Sequence, residues 1–183
     1  MIRDTDRRGV TRIANCYTVF NSPIGRIGIA ASEKGICQVA FNASEQTFRS
    51  RLQKSRGEEA ERQPKRFQRV ITELKRYLNG KPVRFHARLD FGHATDFQKR
   101  VWLATLKIPR GRTKTYSAIA RAIGKPKAFR AVGQALGKNP IPIIVPCHRV
   151  IGKSGRLVGF GGGIQLKKRL LELEGVKLIK DNY

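Results

Sequence analysis

The sequence predicts an α+β N-terminal unit over residues 1–92 and a mainly α C-terminal unit over residues 93–183 that carries a helix-turn-helix. Three observations predict it. Short apolar runs separated by turn residues open the chain. An alternating run at 83–91 closes the first unit. From Thr95 onward the apolar spacing is helical, and two short helical stretches meet across Gly124-Lys125-Pro126.

Residues 1–12 are polar and read as a loose basic arm. Apolar runs at 16–20, 24–30 and 36–41 are broken by Asn21-Ser22-Pro23 and Glu33-Lys34-Gly35, which predicts three antiparallel strands. Phe48 and Leu52 indicate a short helix, and the charge-rich stretch 54–66 reads as an exposed connection. Phe67, Val70, Ile71, Leu74, Tyr77 and Leu78 fall at helical spacing, and Gly80 and Pro82 end that helix. Val83, Phe85, Ala87, Leu89 and Phe91 alternate with Arg84, His86, Arg88 and Asp90, the pattern of a half-buried strand. No catalytic constellation is visible in this half, so it reads as support. Cys16, Cys37, His86 and His93 lack the close ligand-pair spacing of a zinc site, and neither metal nor cofactor is expected.

Thr95-Asp96-Phe97-Gln98 has capping-box form. The helix it opens runs through Phe97, Val101, Trp102, Leu103, Ala104 and Leu106, is apolar on most sides and reads as buried between layers. Pro109 and Gly111 end it. A Ser-capped helix at 116–123 and a second at 127–136, ended by Gly137, make the helix-turn-helix. In the second helix Ala128, Ala131 and Ala135 share a face, with Gly133 nearby. That small face suits close approach to a DNA groove or close helix packing, and the spacing leaves both open. Lys125, Lys127, Arg130 and Lys138 favour a phosphate-facing surface.

Lys and Arg number 38 against 13 Asp and Glu, a formal charge of +25, so the partner should be a polyanion: nucleic acid first, an anionic membrane surface second. No apolar run approaches the roughly 18 residues of a membrane span. The charged N-terminus has no apolar core behind it, so no secretory signal is expected. Three widely spaced cysteines argue against a disulfide framework and for a reducing, cytoplasmic setting.

The chemistry concentrates at 141–152. Ile and Val in strand-like density lead into Pro146-Cys147-His148, and two prolines stiffen the approach. Cys147 is either a nucleophile beside an imidazole or a core cysteine that happens to precede a histidine. In a strand, adjacent side chains point to opposite faces, so a Cys147–His148 proton exchange would need a bend or a water. The helix at 165–174 carries an apolar stripe of Leu166, Leu170 and Leu173, with Leu171 fitting poorly. At about 100° per residue Glu174 falls at the stripe's edge while Glu172 faces water. Glu174 is therefore the better candidate to orient the histidine. Between them, the Gly-rich stretch 155–163 offers backbone N–H groups to a ligand, with Phe160 able to stack on a planar ring; a solvated loop is the alternative.

Pro146-Cys147-His148-Arg149-Val150, the Gly-rich loop and Glu174 together resemble the active site of the O6-alkylguanine-DNA alkyltransferases, over residues 97–175. Ser22-Pro23-Ile24-Gly25 is weakly similar to the family's N-terminal domain. The resemblance implies a ribonuclease H-like first domain and a winged-helix-like second. It implies direct-reversal repair of O6-alkylguanine, and of O4-alkylthymine, in double-stranded DNA entered from the minor groove, with the lesion flipped out. Cys147 would take the alkyl group irreversibly, a single turnover without cofactor, in a monomer located in the cytoplasm, on the nucleoid in a prokaryote. His148 would deprotonate Cys147 through a water, Glu174 would orient His148, and Asn139 would brace the turn. Tyr116 would donate to the guanine and crowd its phosphate, and Arg130 would replace the flipped base. Ala128, Ala131, Gly133 and Val150 would meet the DNA or substrate; Val158, Gly159, Phe160 and Gly161 would line the base pocket. Some relatives carry Tyr and Ser where this chain has Phe160 and Gly161, which implies a more open pocket, and Phe129 is bulky where a small residue is common. A non-catalytic lesion-binding relative would lack the cysteine. A helix-turn-helix regulator would leave the Cys-His-Glu set unexplained, and a thiol hydrolase would leave the charge unexplained.

Overall fold

The computed structural model describes residues 15–56, 60–92 and 94–178; the expected arm at 1–12 and His93 lie outside the described residues. Strands β1 (Asn15–Ser22), β2 (Gly25–Ser32) and β3 (Gly35–Phe41) form the expected antiparallel meander. The first turn is built by Ser22, whose Oγ donates to Gly25 O at 2.6 Å and accepts from Ile24 N–H at 3.3 Å. Strand alternation splits the sheet into two faces. One face, with Ile27, Ile29 and Val39, packs on Phe67, Val70 and Leu74. The other, with Tyr17, Ala30 and Cys37, packs on Phe48 and Leu52 of α1 (Glu45–Arg56).

The stretch 54–66 is more than a connection. Its β4 (Glu61–Arg62) adds to the sheet parallel to β1, giving the order β3-β2-β1-β4, and a 3-10 turn over Pro64–Phe67 leads into α2 (Gln68–Leu78). A two-residue strand is too short to leave a periodic signal. The run at 83–91 is a correction in the other direction. Its apolar side chains pack half-buried on the core as the alternation requires, yet it does not form a sheet strand. Only Leu89 bridges to Ile36, with Ile36 N–H donating to Arg88 O and Asp90 N–H to Ile36 O, each at 2.8 Å. Gly35 permits this approach, since a Cβ there would lie 2.3 Å from Arg88 O.

In the C-terminal half, α3 (Asp96–Leu106) has its capping box: Gln98 N–H donates to Thr95 Oγ1 at 3.3 Å and Thr95 N–H to Gln98 Oε1 at 2.9 Å. The helix is not buried on most sides; Val101, Trp102 and Thr105 are inside, whereas Leu103 is 51% exposed. Helices α4 (Tyr116–Ala122) and α5 (Phe129–Gly137) form the helix-turn-helix. The cap of α4 is Thr115, accepting from Ala118 N–H at 3.1 Å, rather than a serine; Ser117 sits inside the first turn. Trp102 Nε1–H donates to Ala135 O at 2.9 Å and fixes α3 on α5. Ala135 is therefore buried in packing, while Ala128 and Ala131 stay half-exposed. A short parallel pair, β5 (Lys114–Thr115) with β6 (Val150–Ile151), and helix α6 (Ile164–Leu173) complete the half.

One hydrophobic core runs through both halves, from Ile27 and Leu74 to Val101, Val132, Cys147 and Leu170. Arg110 staples the junction by donating to Gly80 O at 2.9 Å, Lys81 O at 3.2 Å and Leu173 O at 2.6 Å. Val39 N–H of β3 donates to Pro140 O at 2.8 Å, tying the sheet edge to the segment that leads to Cys147.

Candidate active site

The approach to Cys147 is a turn and not the expected strand. Pro142 and Pro146 have no N–H to donate to a ladder. Val145 N–H closes back on Ile141 O at 2.9 Å, and Ile143 adopts φ +72°, a left-handed conformation that a β-branched residue rarely takes. Ile141, Ile143, Ile144 and Val145 are all buried, so the apolar run reports burial correctly and shape incorrectly. Asn139 holds the turn: Nδ2 donates to Val145 O and to Cys147 Sγ, each at 3.1 Å, and Oδ1 accepts from Ile141 N–H at 3.0 Å. Cys147 then opens a 3-10 turn over Cys147–Arg149, which supplies the bend that adjacent Cys and His side chains require.

His148 and Glu174 meet behind the cysteine. His148 is fully buried, and its Nε2 lies 2.9 Å from Glu174 Oε1. Nδ1, also shielded from solvent, has no hydrogen-bond partner among the described residues. Arg149 Nη2 donates to Glu174 Oε1 at 2.8 Å and its Nε to Oε2 at 2.9 Å, while its Nη1 donates to Ile108 O at 2.7 Å. Burial alone would push the Glu174 carboxyl up, but hydrogen bonds from His148, Arg149 and Tyr77 prevail and hold it well below the usual range. His148 shifts the other way from a protonated ring: burial lowers it from its ordinary value of 6.5 despite the carboxylate, so it rests as a neutral base. Burial pushes the Cys147 thiol up, partly offset by the Asn139 hydrogen bond and the positive charge of Lys167. Cys147 thus rests as a thiol that needs a base to ionise.

Glu174 is the C-cap residue of α6, one position beyond its last turn. The buried stripe of that helix is also displaced from the expected one: it is Lys167, Leu170 and Leu171, with Glu174 next in the same register, whereas Leu166 and Leu173 are half-buried. Glu172 is exposed, as expected. Lys167 is fully buried and donates to Val150 O at 2.6 Å and Val158 O at 2.8 Å. Burial lowers its ammonium to about 8, so it is charged at neutral pH.

Cys147 lies in the wall of a cleft of about 520 Å³. Of the residues expected to touch DNA or base, Tyr116, Arg130, Gly133, Val158, Gly159, Phe160 and Gly161 line it together. Ala128 and Ala131 do not line it, and Val150 has a buried side chain with its carbonyl committed to Lys167. The bulky Phe129, singled out in the sequence, also lines it, and so do Leu136 and Gly137, which were not expected. Tyr116 OH donates to Val158 O at 3.0 Å, and Phe160 packs between Phe41 of β3 and the edge of the His148 ring, at 6.0 and 6.4 Å between centroids. A Cβ at Gly161 would meet nothing within 4 Å, so the cleft is open there.

The chain is similar to known proteins over both halves. Residues 15–91 match the family model described as 6-O-methylguanine DNA methyltransferase, ribonuclease-like domain, and residues 96–176 the one described as 6-O-methylguanine DNA methyltransferase, DNA binding domain. The methylated-DNA--protein-cysteine methyltransferase of Mycobacterium tuberculosis (strain ATCC 25618 / H37Rv) is 46% identical over 159 residues, covering 86% of this chain and 91% of that one. That of Methanosarcina barkeri is 42% identical over 158 residues, covering 86% and 96%. This chain belongs to the 6-O-methylguanine DNA methyltransferase family. Its fold is the family's: the crystal structure of Mycobacterium tuberculosis OGT in complex with DNA aligns with TM-score 0.75 at 45% identity, over 86% of this chain and 91% of that one. The O6-methylguanine-DNA methyltransferase of Pyrococcus kodakaraensis aligns with TM-score 0.63 at 28% identity, over 88% and 99%.

Behind the cysteine, Lys167 and Tyr77 also escape a reading of the sequence. Lys167 sits at a core position of α6, where hydropathy places a charge outside; its i+7 relation to Glu174 is the one available signal, since both then share a face. Tyr77 reads as an ordinary core aromatic of α2. Its hydroxyl instead donates to Glu174 Oε1 and lies 3.1 Å from His148 Nε2, so the N-terminal half is more than support.

Proposed function

We propose that this protein repairs DNA by direct reversal, transferring the alkyl group of O6-alkylguanine, and of O4-alkylthymine, in a duplex to Cys147. The observation that carries the reading is the placement of Cys147: it lines the cleft together with Arg130, its Sγ is held by Asn139 at 3.1 Å, and it stands beside a neutral, buried His148 oriented by Glu174. The flipped base enters between Tyr116 and the loop Val158, Gly159, Phe160 and Gly161, while Arg130 fills the gap in the stack. His148 Nδ1 takes the thiol proton through a water. Sulfur attacks the alkyl carbon, an S–C bond forms, the C–O6 bond breaks, and its electron pair leaves with guanine, which gains the proton that the thiol lost. The thioether has no hydrolytic exit, so one molecule repairs one lesion.

Lys125, Lys127, Arg130 and Lys138 around α5 meet phosphates, and the excess of 38 basic over 13 acidic residues makes binding sequence-independent. Among the described residues no helix is long and apolar enough to cross a membrane. The reading is tested with Cys147→Ser: it should still bind a duplex carrying O6-methylguanine and lose acceptance of a labelled methyl group. Labelled protein in that variant would place the acceptor elsewhere.

A further inference from the structure

We propose that Tyr77, carried by α2 of the N-terminal half, is a positioning residue of the transfer: its hydroxyl bridges Glu174 and His148 and keeps the imidazole with its proton on Nε2, leaving Nδ1 as the ring's proton acceptor. Three polar atoms form a closed triangle here: Tyr77 OH, Glu174 Oε1 and His148 Nε2. Tyr77 OH donates to Oε1, Nε2 lies 2.9 Å from Oε1, and the hydroxyl lies 3.1 Å from Nε2. The carboxylate can only accept. If Nε2 lacked a proton, its lone pair would face a carboxylate oxygen 2.9 Å away. With Nε2–H the triangle closes: Nε2–H donates to Oε1 and to the phenol oxygen, and the phenol proton goes to Oε1. Burial, reinforced by the neighbouring carboxylate, holds the Tyr77 hydroxyl well above its ordinary range, so it stays a donor.

The ring of Tyr77 is itself fixed. Its centroid lies 5.9 Å from that of Phe85, and the Arg110 guanidinium lies 5.6 Å from it. Arg110 in turn donates to carbonyls at the ends of α2 and α6. Tyr77, His148 and Glu174 are fully or nearly fully buried, so no solvent molecule substitutes easily for the hydroxyl.

The inference rests on His148 acting as the base, and the test separates the two. Single-turnover transfer from duplex O6-methylguanine is measured for the wild type, His148→Gln and Tyr77→Phe, together with thermal unfolding and the imidazole ¹⁵N and downfield ¹H spectra of His148. Tyr77→Phe keeps the ring and its packing. The expected result is Nε2–H in the wild type, and in Tyr77→Phe a displaced or exchange-broadened Nε2–H signal with transfer slowed roughly ten- to a hundredfold, the loss for one hydrogen bond to a charged group. A wild-type ring protonated on Nδ1 overturns the proposal without any variant. So does Tyr77→Phe with the wild-type rate, or with a rate loss that only follows the loss of folded protein while the Nε2–H signal is unmoved. If His148→Gln itself retained the wild-type rate, the assignment of the base would fall instead.

Discussion

Cys147 is buried and must nevertheless ionise, and single residues around it set that balance. Burial favours the thiol; Asn139 Nδ2–H on Sγ and the Lys167 charge favour the thiolate. Asn139→Ala removes the Sγ donor and also the partners of Val145 O and Ile141 N–H. It should slow transfer at least tenfold and lower unfolding free energy by about 1–3 kcal/mol, measured by single-turnover assay and urea denaturation. The buried pair gives a pH dependence of fixed sign. His148 lies below its ordinary 6.5 in the folded protein, so the unfolded chain takes up its proton first as pH falls. The contribution of His148 to stability is full above 6.5 and declines below it. Glu174, depressed from 4.5, extends the decline below that value. The thermal midpoint should therefore fall steadily on acidification from pH 7, and Glu174→Gln should flatten the part of the curve below 4.5.

At the scale of elements, the sequence is informative wherever one local pattern decides the structure. The meander at 15–41, the capping box of α3 and the two helices about Gly124 all follow from turn residues and apolar periods. Where tertiary contacts decide, periodicity misleads. The run at 83–91 alternates like a strand because one side packs on the core, yet Ile36 offers it only a single bridge. The 141–146 stretch has strand composition, but two prolines and the Asn139 brace turn it. Of the site, Cys147, His148, Glu174 and the loop to Gly161 are legible, because the motif and the helix end carry them. Lys167 and Tyr77 are not, because their partners are carbonyls and side chains distant in sequence. The Arg110 staple makes a prediction about how α2 and α6 are held. Arg110→Ala strips three carbonyls of their donor and should lower stability by about 1–3 kcal/mol, seen as a fall of several degrees in the calorimetric midpoint.

For the whole molecule, a charge of +25 is a statement about its partner. Affinity for duplex DNA should fall linearly on a log–log plot against salt, with a slope of about −0.9 per phosphate neutralised. Replacing Lys125 and Lys127 together by Ala should reduce that slope by about two, with little change in preference between damaged and undamaged DNA; titrations at several salt concentrations measure it. The open side of the cleft at Gly161 should matter to lesion size: Gly161→Phe should reduce transfer from O6-benzylguanine more than from O6-methylguanine in a competition assay. In this mechanism one cysteine takes one alkyl group, once. Intact mass after mixing the protein with excess duplex carrying a single O6-methylguanine tests it most directly. The expected result is a gain of one methylene per molecule, located on the Cys147 peptide and absent in Cys147→Ala. An unchanged mass under conditions where the damaged duplex is bound, or a methylene on another residue, would contradict it.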